Sequence, residues 1–137
     1  LHMALVAAAI ANSGDLMKPY LIKTVKDSMG QVLQREEARH WLNVATPQIC
    51  GIIKDGMVDA VRSGTATAAG VAGVQVAGKT GSAQNPHGQT HAWFIGFAPA
   101  DQPRLAVAVL VENAGSGGSV AAPVAGQLIS TALNKGY

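Results

Sequence analysis

The sequence predicts a mixed α/β fold of the α+β kind, an antiparallel sheet flanked by helices. Three observations predict it. The second half of the chain reads strand, strand, strand, helix, and the gaps between those strands are shorter than the roughly dozen residues a helical crossover needs. Upstream, Ile49, Ile53, Met57 and Val61 recur at four-residue steps, the spacing of one helix face. Hydrophobic residues make up 48% of the chain and charged residues 13%, so the sequence can bury a core rather than stay disordered. Its 137 residues suffice for one ordinary domain.

Each element follows from local chemistry. Residues 2–13 read as a helix that is apolar nearly all round (Leu5, Val6, Ala9, Ile10) and therefore mostly buried, with Gly14 as its stop. In "YLIKTVKDSMGQVLQ" the alternation of Tyr20, Ile22 and Thr24 with Leu21, Lys23 and Val25 predicts a strand. "DSMG" supplies the turn, and Val32 and Leu33 begin the return strand. Thr46 is an N-cap candidate and Pro47 suits the first helical position, where its missing N–H costs little. The helix they open should turn Ile49, Ile53, Met57 and Val61 to the core and end at Ser63-Gly64. "TATAAGVAG" has weak local preference and reads as loop or short turn. Val74–Ala83 and Ala92–Ala98 read as strands, the second stopped by Pro99. Leu105–Val111, "LAVAVLV", is apolar on both faces, as in a central strand covered on both sides. "NAGSGGS" is a Gly-rich loop. Ser119–Asn134 reads as a closing helix, with Pro123 in its first turn and Ala125, Leu128, Ile129, Ala132 and Leu133 on one face.

Several function classes are disfavoured. The net charge is +2 with Lys and Arg scattered, which lacks the basic footprint of a nucleic-acid binder. A lone cysteine, Cys50, allows no internal disulfide and reads as a small buried residue of the helix. The apolar run "MALVAAAIA" is about half the ~20 residues of a spanning helix. It lacks a basic flank and a cleavage-site pattern, so it does not read as a signal peptide. The start Leu1-His2-Met3 reads as a cut piece of a larger protein, with any anchor outside these residues. His87 and His91 stand four residues apart in a Pro/Gly loop without acidic or Cys partners, so they border a cleft mouth better than they hold a metal. His40 and Trp41 read as surface residues of a helix or loop. Trp93 and Phe94 read as cleft-wall and core aromatics.

One stretch carries chemistry. "GVQVAGKTGSAQ" matches G-x-x-x-x-G-K-T, a phosphate-cradling P-loop, and also contains Lys79-Thr80-Gly81, the K-T-G triplet of serine enzymes acylated by penicillin-like substrates. A P-loop needs a loop between its glycines and a helix at its Lys. Here Val74, Gln75, Val76 and Ala77 alternate as a strand does, and Gly81, Pro86 and Gly88 oppose a helix after Lys79. A strand bearing Lys-Thr-Gly-Ser has its own logic. Lys79 offers a fixed positive charge, and Thr80 and Ser82 offer hydroxyl donors, all suited to a substrate carboxylate. Gly81 lets a substrate approach the backbone, and an exposed strand edge can pair with an extended peptide. Strand alternation puts Lys79 and Gly81 on one face and Thr80 and Ser82 on the other, so a bulge or twist is expected to bring them to one cleft.

"AGKTGSAQ", "AWFIGFAPAD", an apolar strand, a Gly/Ser loop and "AAPVAGQLI", in that order, resemble the C-terminal half of a penicillin-binding protein transpeptidase domain, class B. "RSGTATAAGV" resembles the segment that precedes the K-T-G strand in that family, and "LHMALVAAAIANSG" the helix that follows its second motif. The Ala/Gly/Val-rich composition suggests a bacterium with GC-rich coding, and within the family the chain resembles mycobacterial-type members most. The resemblance implies a β-lactamase/transpeptidase-like fold, of which only the C-terminal part is present. It implies a D,D-transpeptidase that cross-links peptidoglycan stem peptides through a serine acyl-enzyme, is inhibited covalently by β-lactams, and works at the extracytoplasmic face of the membrane without cofactor or metal. It assigns Lys79 to charge and proton traffic around the serine. Thr80 and Ser82 take the substrate carboxylate, the Ser82 N–H serves as an oxyanion-hole donor, and Gly81 forms an open floor. The nucleophile motif S-x-x-K and the second motif S-x-N are absent, and Ser13-Gly14-Asp15 reads as a cap-and-turn cluster. The chain is therefore expected to form one wall of the site and to pair with an N-terminal portion that carries the serine and the first strands of the sheet. A D,D-carboxypeptidase, a β-lactamase and a β-lactam sensor would share this strand.

Overall fold

The computed structural model describes residues 1–137. In chain order the elements are α1 (His2–Ala11), β1 (Asp15–Met17), β2 (Thr24–Lys26), β3 (Val32–Arg35), β4 (His40–Asn43), α2 (Pro47–Ser63), a 3-10 turn (Thr67–Ala69), β5 (Ala77–Ala83), β6 (His91–Ala98), β7 (Leu105–Val111), a wide π-type turn (Gly117–Ala121) and α3 (Ala122–Asn134). Strands β5, β6 and β7 form the antiparallel meander expected from their short connections, and β1–β4 and β2–β3 form two small antiparallel pairs.

The meander is covered on both faces. One face presents Ala92, Phe94, Ala98 and Val109 to Ala122, Ala125 and Ile129 of α3, with Val61, Ala66 and Ala69 closing the layer. The other presents Ala77 and Phe97 to Met57 and Ala100, with Ile10 and Ala11 of α1 packed against them. Glycines let these layers approach. Gly78 and Gly96 stand directly opposite each other in the β5–β6 register. A Cβ on Gly78 would run into the Phe94 ring, 2.6 Å from Cε2, and one on Gly96 would stand 2.8 Å from Cε1 of the same ring. Phe94 is fully buried across this pair, a side chain whose burial contributes about 1.5–3 kcal/mol.

Helix α2 starts as its sequence predicts, with the Ile49 N–H donating to Thr46 Oγ1 at 3.4 Å and Pro47 in the first turn. Its predicted core stripe holds only in the second half. Met57 and Val61 are buried, but Ile49 and Ile53 are 50% and 40% exposed. The reason is position: α2 meets β5 with its C-terminal half. Ile53 instead lines an apolar groove of about 820 Å³ with Leu5, Ile10, Leu16, Trp41 and Leu42. Cys50 is buried in the helix, as expected.

Other expectations are corrected. The Val74–Ala83 strand begins only at Ala77. Val74 closes a tight turn by donating to the Val71 carbonyl at 3.2 Å, and the Gln75 carbonyl is taken by the Ala100 N–H, so neither residue joins the β5–β6 ladder. The strand predicted from Tyr20 starts at Thr24, and the "DSMG" turn forms as predicted, with Asp27 Oδ1 accepting from Met29 and Gln31 N–H. His40 and Trp41 lie in a strand, β4, which pairs with β1 from Asp15↔Asn43 to Met17↔His40. Leu105–Val111 is an edge strand, with Leu110 43% exposed. The closing helix begins at Ala122, because residues 117–121 wind as the wider turn.

Glycine contacts separate two outcomes on stability. Gly78→Ala should lower it by about 1–3 kcal/mol, the usual cost of overpacking a filled core. Gly56→Ala, on an exposed stretch of α2 with nothing within 4 Å, should raise it by about 0.5–1 kcal/mol. Urea unfolding midpoints of the two variants check this, and equal shifts in one direction would refute it.

Candidate active site

The residues Lys79, Thr80, Gly81 and Ser82 lie consecutively on β5, which pairs only with β6 and so leaves its other edge without a strand partner. The pairing is continuous from Ala77↔Phe97 to Ala83↔His91, without the expected bulge. Lys79 and Gly81 thus share the face of Ile95 and Trp93, while Thr80 and Ser82 share the opposite face. They still border a common cleft of about 360 Å³, with Met3, Ala83, Trp93 and Ile95. The unbroken ladder therefore leaves all four residues on the cleft lining, with Trp93 and Ile95 of the neighbouring strand on the Lys79 and Gly81 face.

The side chains differ in how they are held. Lys79 is exposed, and its Nζ folds back to donate to the carbonyl of Thr80. Thr80 is nearly buried, 9% exposed, with Oγ1 2.8 Å from Thr65 Oγ1. Ser82 is exposed, and its Oγ accepts the Gly117 N–H at 3.2 Å. Gly117 lies backbone-to-backbone on β5, where a Cβ would collide with the carbonyls of Gly81 and Trp93 and stand 2.9 Å from the Gly81 nitrogen. Gly81 itself is not packed shut: a Cβ there would meet only Trp93 Cβ, at 3.4 Å. Its missing side chain is room on the cleft side that this chain does not fill. Met3 brings the first turn of α1 to the same cleft.

Thr65 and Gly117 escaped the sequence reading. Both lie in segments that read locally as loop, and although "RSGTATAAGV" and the Gly/Ser loop belong to the family resemblance, it assigns neither residue to the site. Trp93 is half-buried on the cleft wall and Phe94 is core, as expected. His91 opens β6, with its Nδ1 accepting the Asn113 N–H at 3.1 Å, and His87 lies in the β5–β6 loop. No group of three or more His, Cys, Asp or Glu side chains gathers to hold a metal. Away from the cleft, hydrogen bonding from Arg39 and then Gln34 holds the Glu36 carboxyl below its ordinary range.

Residues 1–130 match the model of the penicillin binding protein transpeptidase domain. The chain belongs to the penicillin-binding protein transpeptidase family. It is 40% identical over 147 aligned positions to the peptidoglycan D,D-transpeptidase PbpA of Mycolicibacterium smegmatis, covering 99% of this chain and 29% of that protein. Among solved structures, penicillin-binding protein A of Mycobacterium tuberculosis as a penicillin G acyl-enzyme complex superposes with a TM-score of 0.85 at 37% identity, over 95% of this chain and 31% of that one. The D,D-transpeptidase domain from Eggerthella lenta superposes with a TM-score of 0.86 at 36% identity, over 96% of this chain and 31% of that one. The chain thus spans just under a third of the relatives it matches. Within that third, the transpeptidase fold is present with the K-T-G strand at its edge.

The two glycines at the cleft should behave oppositely. Gly81→Ala should leave the thermal midpoint within a few degrees of the parent, since its Cβ would touch only Trp93 Cβ, at 3.4 Å. Gly117→Ala should lower it clearly, by an overpacking cost of about 1–3 kcal/mol. A calorimetric scan of both variants decides the matter.

Proposed function

We propose that this chain is the C-terminal portion of a peptidoglycan D,D-transpeptidase and supplies the K-T-G wall of its acyl-transfer site. The observation that carries the proposal is the cleft on the free edge of β5, where Lys79, Thr80, Gly81 and Ser82 meet the first turn of α1. A segment preceding α1 reaches the cleft beside Lys79, in keeping with the resemblance of α1 to the helix that follows the family's second motif. An N-terminal portion then brings the serine, covers the apolar groove between α1, β4 and α2, and pairs with the open edge of β7.

In this mechanism the serine hydroxyl attacks the D-Ala-D-Ala carbonyl of a stem peptide. The tetrahedral oxyanion is stabilised by backbone N–H groups, that of Ser82 among them, and terminal D-Ala leaves. An amine of a neighbouring strand then takes the acyl group. A β-lactam acylates the same serine without a ready second step. Lys79, free to swing from its own strand into the cleft, holds positive charge beside the serine. The hydroxyls of Thr80 and Ser82 donate to the substrate carboxylate, and such charge-assisted bonds are about twice as strong as neutral ones. Gly81 leaves space for the peptide to lie along the β5 edge. No helix of the chain is long and apolar enough to cross a membrane. The proposed site of action is the extracytoplasmic face, with the anchor elsewhere in the protein.

The full-length protein incubated with a fluorescent penicillin should give a stable covalent band. Rapid turnover of the band would reassign it as a β-lactamase. Release of free D-Ala from a stem-peptide analogue without cross-linking would make it a carboxypeptidase, and a stable band without either peptide reaction would make it a sensor. Nucleotide binding without a band would overturn the proposal. Lys79→Ala should slow acylation by roughly 100-fold or more, the scale of losing one preorganised electrostatic group. Its thermal midpoint should stay unchanged, because Lys79 is exposed. Acylation at the parent rate would remove Lys79 from the mechanism.

A further inference from the structure

We infer that Thr65 is a positioning residue for the carboxylate-binding hydroxyl of Thr80, an inference that rests on the carboxylate role proposed above. The two hydroxyl oxygens are 2.8 Å apart, and Thr80 is nearly buried, so its hydroxyl rotor is set by what it bonds. A hydroxyl has one proton to donate and two acceptor lone pairs. If Thr80 gave its proton to Thr65, it would have none for a substrate carboxylate. The productive arrangement is the reverse: Thr65 donates, Thr80 Oγ1 accepts, and the Thr80 proton is left for the substrate.

Ser82 provides the pattern with its polarity fixed. Its partner is the Gly117 backbone N–H, which can only donate. Ser82 Oγ therefore accepts from behind, and its own proton is free for the cleft. Thr65 behind Thr80 repeats this two residues earlier on the same face of β5. Two donors standing behind two hydroxyls orient both protons outward, towards where an anion binds.

Thr65 sits on a backbone fixed well enough for this task. It lies between Gly64, which ends α2, and Ala66, which is fully buried and donates its N–H to the Ala60 carbonyl at 2.9 Å. Its own carbonyl lies against Gly118, where a Cβ would stand 2.5 Å away. A first-contact group supported by a rigid neighbour keeps its geometry when the substrate arrives.

A double-mutant cycle on the full-length protein tests this, with the second-order rate of acylation by a carboxylate-bearing penicillin as readout. Thr65→Val should lower the rate about three- to tenfold, the scale of one hydrogen bond, and Thr65→Ser should restore it to within about twofold. Thr65→Val combined with Thr80→Val should be no slower than Thr80→Val alone, since Thr65 acts through Thr80. The Thr65→Val loss should fall on the dissociation constant rather than the acylation step. It should also vanish with the penicillin methyl ester, which has no carboxylate to bind. Thr65→Val acylating at the parent rate, independent multiplication of the two single losses, or an equal loss with acid and ester would overturn the inference. Thr80→Val at the parent rate would instead defeat the carboxylate role of Thr80, and this inference with it.

Discussion

The fold turns on one close approach, the Phe94 ring laid across the glycine pair Gly78 and Gly96. No other residue type fits at either glycine without displacing the ring or the facing backbone. The contact therefore fixes which residue of β5 stands opposite which residue of β6. A slip by one residue would turn every side chain of the strand to the other face. Lys79 begins one residue after Gly78, so the chemistry-bearing run inherits its register from a packing contact beside it. Phe94 also joins the sheet to Val61 of α2 and Ile129 of α3, so the same ring ties the edge strand to the helices behind it.

Two uses of glycine meet on this strand. At Gly78, Gly96 and Gly117 the missing side chain is taken up by the protein's own atoms. At Gly81 it is left open, towards the cleft. The contrast gives Gly81 a reason that folding alone does not supply, and it places the unfilled space between Lys79 and Ser82. On the opposite face Gly117 lies against the backbone of Gly81, so there the strand is packed by the chain's own turn.

The sequence made the meander, the helix caps and the Lys79–Ser82 run legible because each has a local cause: period-two strands, short connections, Thr46-Pro47 at a helix start. Expectations failed where tertiary partners decide. Ile49 and Ile53 carry the same helical stripe, but they stay half exposed, and Ile53 borders an open apolar groove instead of a packed layer. His40 and Trp41 show no alternation long enough to announce a strand, since β4 exists through pairing with a segment more than twenty positions away. Val74 and Val76 have strand chemistry, yet a turn at Gly73, with φ of 73°, delays the ladder to Ala77. The resemblance to a phosphate-binding loop fails in the structure on the other side of the lysine, where the chain continues as strand through Ala83. The bonds from Thr65 and Gly117 to β5 were illegible, because each spans a loop whose path no local pattern records.

The open edge of β7 has a further consequence. It offers a row of backbone donors and acceptors beside Val107, Val109 and Val111, in a segment with high strand preference and no charge. Such an edge pairs with any extended chain of suitable pattern, another copy of itself included. While it stands unpaired, the molecule is vulnerable to edge-to-edge aggregation during synthesis and refolding. A partner strand on that edge, such as the N-terminal portion proposed above, would remove this hazard by closing the row.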